Sequence, residues 1–104
     1  MNVMFTEPEI QLLRRCVPAD GERCTLRPES HMDLFEGNVT AYMRVKNLVK
    51  QLALKLAAIR APIEIETDWE PGRGRRIRFV VRARKGAREF VEQLVKETEG
   101  HEQE

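Results

Sequence analysis

Two runs of strict alternation dominate the second half of the chain. Ile63, Ile65, Thr67 and Trp69 alternate with Glu64, Glu66, Asp68 and Glu70. Ile77, Phe79, Val81 and Ala83 alternate with Arg76, Arg78, Val80, Arg82 and Arg84. A period of two marks a half-buried strand. Pro71-Gly72-Arg73-Gly74-Arg75 between the runs supplies a turn. The pattern therefore predicts a β-hairpin, 63–70 with 76–84. A Gly72-Arg73-Gly74 loop sets Trp69 opposite Ile77, Thr67 opposite Phe79 and Ile65 opposite Val81. On the other face it sets Glu70 against Arg76, Asp68 against Arg78 and Glu64 against Arg82. Apolar matching and charge matching agree in one register, which is the strongest structural constraint in the sequence.

Around the hairpin the period changes to that of a helix. Asn38 caps a long helix, 38–61, in which Ala41, Val45, Leu48, Val49, Leu52, Leu56 and Ile59 share about 100° of arc. Pro62 ends it. After Gly86, the residues Ala87, Phe90, Val91, Leu94 and Val95 form the apolar stripe of a C-terminal helix, 86–99. Near the start, Thr6-Glu7-Pro8-Glu9 reads as a capping box with proline in the first turn. A short helix follows through Ile10, Leu13 and Val17, until Pro18, Asp20 and Gly21 stop it. Residues 22–27 offer an optional third strand, with Cys24 and Leu26 on one face. Pro28-Glu29-Ser30 reads as a turn and cap for a helical turn, His31 to Glu36. The fold class is α+β: a small antiparallel sheet packed on the long and C-terminal helices, with a short N-terminal helix. Met43, Leu54 and Ala58 fall on the far side of the long helix beside Lys50. Either the first helix or a second protomer must cover that strip.

Length and composition narrow the class. With 104 residues, the chain makes one domain, 1–99, and a frayed acidic tail, 100–104. At 41% hydrophobic and 34% charged, it is too apolar for a disordered polyelectrolyte and too charged for a membrane protein. No uncharged run approaches the roughly 20 residues of a membrane span. Met1 to Glu9 lacks the basic-then-apolar order of a signal peptide, so a cytoplasmic, reducing setting is expected, with Cys16 and Cys24 as free thiols. Cys16, Cys24 and His31 could offer three soft donors, but their spacing lacks the tight pairs of structural zinc. No metal and no cofactor is expected.

The order strand–helix–helix–strand–strand–helix over residues 22–99 resembles that of KH-type RNA-binding domains. The resemblance is one of order. The Gly-x-x-Gly loop of that family is missing, since Gly37-Asn38-Val39-Thr40 holds one glycine.

Charge is segregated in blocks that the formal total of +1 conceals. Residues 37–63 carry Arg44, Lys46, Lys50, Lys55 and Arg60 and no acid. Residues 64–70 carry Glu64, Glu66, Asp68 and Glu70 and no base. Residues 71–88 carry eight bases and no acid, and residues 89–104 are mainly acidic. The basic hairpin is the leading candidate for function. Arg73, Arg75, Arg76, Arg78, Arg84, Lys85 and Arg88 could lie along a nucleic acid or another phosphate backbone. Arg44, Lys46, Lys50 and Lys55 would help if they shared that face. Paired acids on the neighbouring strand would quench part of this field, leaving Arg73, Arg75, Arg84, Lys85 and Arg88 unpaired. Trp69 could reach a base, but its inward register favours capping the core. The alternative is a protein–protein assembly module, a homodimer or a subunit of a larger complex, with the arginines in intramolecular salt bridges and Met43, Leu54 and Ala58 at the contact. Catalysis is not expected: there is no phosphate loop, no nucleophile elbow, and Ser30, His31 and Asp33 lack a third partner.

Overall fold

A computed structural model of the chain describes residues 3–36, 40–72, 74 and 76–102, with side chains as far as Thr98. The elements are α1 (Glu7–Cys16), β1 (Arg23–Leu26), a 3₁₀ segment (Pro28–Phe35), α2 (Ala41–Ala58), β2 (Ile63–Trp69), β3 (Ile77–Ala83) and α3 (Ala87–Glu102). Among the described residues one antiparallel sheet forms in the order β1-β3-β2. The expected α+β architecture is therefore present, with residues 23–26 as the third strand.

The hairpin register is the one that alternation demands: Trp69 pairs with Ile77, Thr67 with Phe79, Ile65 with Val81, Asp68 with Arg78 and Glu64 with Arg82. β3 is the central strand, so its inward residues Ile77, Phe79, Val81 and Ala83 are all buried. They meet Leu26 of β1, Val45, Val49, Leu52 and Leu56 of α2, Leu12 and Leu13 of α1, and Ala87 and Val91 of α3. All helices lie on this inner side. The opposite sheet face carries the arginines and acids and has no helix over it.

Local chemistry fixes the element ends. The Thr6 hydroxyl accepts from the Glu9 N–H, and the Glu9 carboxylate accepts from the Thr6 N–H at 2.7 Å, completing the capping box. Glu9 is only 1% exposed, and it also accepts from Lys55 Nζ of α2 at 2.7 Å. α2 stops earlier than the sequence suggests, at Ala58, because its last carbonyls are taken up locally. The Ala61 N–H donates to the Leu56 C=O at 2.9 Å and the Arg60 N–H to the Ala57 C=O at 3.1 Å, with Arg60 at φ 53°. At its other end, Thr40 is the N-cap residue. The expected cap Asn38 lies outside the described residues. The turn expected at Pro28–Ser30 is already part of the 3₁₀ segment, which kinks at His31. Gly86, at φ 90°, leads into α3, and its N–H donates to the Asp20 carboxylate at 2.9 Å. α3 runs past the expected end at 99 to Glu102. Gly100 alone, a penalty of about 1 kcal/mol, does not end a helix without a following residue that breaks it.

Candidate functional site

The open sheet face decides which hairpin cations are available. Arg78 Nε donates to Asp68 at 2.7 Å, and Arg82 lies 3.6 Å from Glu66. Arg84 pairs with Glu64, and Arg27, just past the end of β1, pairs with Glu70. Two of the expected partnerships are thus corrected. Long guanidinium stems reach diagonally, so Glu64 takes Arg84 rather than the directly opposite Arg82, and Glu70 takes Arg27 rather than Arg76. Arg84, expected to be unpaired, is not. Hydrogen bonding from Arg78 holds the Asp68 carboxyl below the usual carboxylate range. Every acid of β2 is therefore matched across the sheet, and the middle of this face is close to neutral.

What remains lies at the two ends. Arg76, beside the connector, is exposed and has no carboxylate partner among the described residues. Arg73 and Arg75 belong to that connector and lie outside the described residues. At the far end Lys85 and Arg88 are exposed and likewise lack a described ion-pair partner. Strand geometry separates the two ends by about 25 Å. Arg88 lines a cleft of about 480 Å³ between α1 and α3, together with Arg14, Glu92 and Lys96. Among the described residues, Arg76 lies at one end of the sheet and Lys85 and Arg88 at the other, so these three do not form one track.

The helix cations do not join them. Arg44 lies over the Phe35 ring, Lys46 over the Tyr42 ring, and Lys55 is bound to Glu9. They belong to the helix layer, on the other side of the sheet from the hairpin arginines.

Trp69 departs from the sequence expectation. It sits in the inward register opposite Ile77 but is 53% exposed. The reason is that α2 crosses the sheet without reaching the end of β2. Burial falls along β2 from Ile63, which is buried, through Ile65, which is half-buried, to Thr67 and Trp69, which are exposed. The chain's only tryptophan is thus an open ring at the loop end of the hairpin, one position along the ladder from Arg76, whose side chain alternation sets on the opposite face. Sequence alternation assigns a face, but it does not report how far a helix extends over it.

The strip on α2 is also open. Met43 is 52% and Leu54 65% exposed, and Ala58 is exposed too. α1 does not cover it. α1 meets α2 on the Lys55 flank, through Glu9.

The cysteine region is a packed corner. Cys24 Sγ donates to the Cys16 carbonyl at 2.9 Å, and Cys16 Sγ lies 3.5 Å from His31 Nε2. Both thiols are free. Burial pushes the Cys16 thiol up to about 11, so it stays protonated near neutrality. Burial, and then the Arg15 guanidinium, hold the His31 imidazole below its ordinary value. Among the described residues no three His, Cys, Asp or Glu side chains are grouped to hold a metal ion, and no helix is long and apolar enough to cross a membrane.

No protein-family model matches the chain, and no curated protein or solved structure matches it either.

Proposed function

We propose that the chain is a non-catalytic binding module that contacts nucleic acid at the loop end of its hairpin. The exposed ring of Trp69 carries this reading. Single-strand binders combine cations that meet the backbone with aromatic faces on which bases stack. Trp69 would supply the face. Arg76, on the opposite face at the same end of the hairpin, would supply charge with Arg73 and Arg75 of the connector to a strand that passes around the hairpin end. The ion-paired Arg78, Arg82 and Arg84 would hold the hairpin's shape and contribute little to affinity.

Trp69 makes the test direct. Titrating a short oligouridine into the protein should quench its fluorescence. Three phosphate contacts on a single strand give a log–log salt slope of about −2. Arg76→Glu should weaken the complex and flatten that slope. Unchanged Trp69 emission at low salt would overturn the reading.

A second reading is favoured by the exposed strip of Met43, Leu54 and Ala58 on α2. It makes the chain a protein-assembly module whose arginines serve intramolecular ion pairs. Retained nucleic-acid affinity in Leu54→Glu would separate the two.

A further inference from the structure

We propose that the open edge of β2, with the wall of α2 beside it, receives an extended segment of a partner protein as a fourth strand. The outward side chains of that segment would be basic and its inward ones apolar.

Three features of the edge lead there. The first is backbone pairing. The Glu70 N–H bonds to Arg76 and the Arg84 N–H to Pro62, so the even-numbered residues of β2 pair with β3. Ile63, Ile65, Thr67 and Trp69 consequently turn their N–H and C=O groups to the edge. Among the described residues no strand occupies that side. An edge of this kind is a ready template for strand addition.

The second feature is space. Beside the edge lies a cleft of about 530 Å³ whose walls include Ala53, Ala57 and Ala61 on one side and Ile63 and Ile65 on the other. Ala53 and Ala57 on α2, and Ala61 just past its end, leave room where larger residues would close the gap. The partial exposure of Ile65 and the exposure of Thr67 and Trp69 show that inward positions of an added strand would also find uncovered apolar surface.

The third feature is charge. Glu64, Glu66 and Asp68 on the outer face of this edge strand, with Glu70 just past its end, form an unbroken acidic row. Each has one arginine neighbour on the sheet and is open on the other side. Basic residues on an added strand would lie directly against them. A second copy of β2 would instead set acids against acids, so a partner of different sequence is the occupant.

Selection from a displayed library of random peptides about twelve residues long, long enough to span the edge, tests this. The enriched peptides should alternate apolar residues with Lys or Arg. Binding should slow hydrogen exchange of the Ile65 and Thr67 amides. Thr67→Pro removes one outward N–H without touching the β2–β3 ladder, and Ala57→Trp fills the cleft from an exposed helix position. Each should weaken a selected peptide about tenfold or more, the scale of one lost hydrogen bond. Circular dichroism of both variants should match the parent. No enrichment, or peptides whose affinity survives in Ala57→Trp, would overturn the proposal. So would peptides whose binding depends on Leu54 instead.

Discussion

Arg60 holds φ 53°, a left-handed conformation that places Cβ close to the following carbonyl. It does so because the end of α2 needs a residue there to return two N–H groups to Leu56 and Ala57. Glycine would meet the same requirement without the Cβ penalty. Arg60→Gly should therefore raise stability by about 0.5–1 kcal/mol, read from a urea melt. His31 supplies a second residue-level expectation. Its imidazole is held below the ordinary value by burial and by Arg15, although nearby Asp33 pulls the other way. The unfolded chain then binds a proton at higher pH than the folded one. Stability is complete above the unfolded value of about 6.5 and falls as pH drops through it. Asp33, held low by its hydrogen bond from Arg15, adds its own loss only in the more acidic range below the ordinary carboxylate value. Urea midpoints at pH 7.5 and 5.5 should differ in the parent and converge in His31→Gln. An equal drop in both would place the acid sensitivity elsewhere.

At the scale of elements, Glu9 joins two helices with one side chain. It closes the capping box of α1 and receives Lys55 of α2 while almost fully buried. Removing the cation leaves a buried carboxylate with only its capping donors. Lys55→Met should cost about 2–4 kcal/mol, whereas Thr6→Ala should cost about 1 kcal/mol. Equal small losses in denaturant melts would mean that water replaces Lys55. The capping box was legible in the sequence because it is a local pattern, but the Lys55 partner was not, being 46 residues away. The same division runs through the sheet. Alternation and loop length set the register of β2 on β3 from nearby residues alone. Which arginine meets which acid depends on side-chain reach across diagonals. The exposure of Trp69 depends on where α2 ends its cover, which no local pattern encodes.

For the whole molecule, charge layout bears on whether the chain pairs with itself. Residues 37–63 hold five bases and no acid, so the exposed strip of α2 places Met43 and Leu54 among cations, with Lys50 between them. Packing two copies of α2 antiparallel through this strip would set those cations against each other, with no acid on either helix to relieve them. The open sheet face fares no better, since its arginines are already matched to acids within one chain and have none to offer a second copy's acids. The apolar area available on α2 is Met43 and, about three turns away, Leu54 with the small Ala58, far below the roughly 800 Å² per partner of a stable interface. The chain should accordingly run as a monomer in light scattering at tens of micromolar and moderate salt. Leu54→Glu should leave both that mass and the melting temperature nearly unchanged, as expected for an exposed position. A dimer in the parent that Leu54→Glu dissociates would show that the strip pairs despite its charge. High salt should then strengthen that dimer, because screening relieves repulsion between like charges.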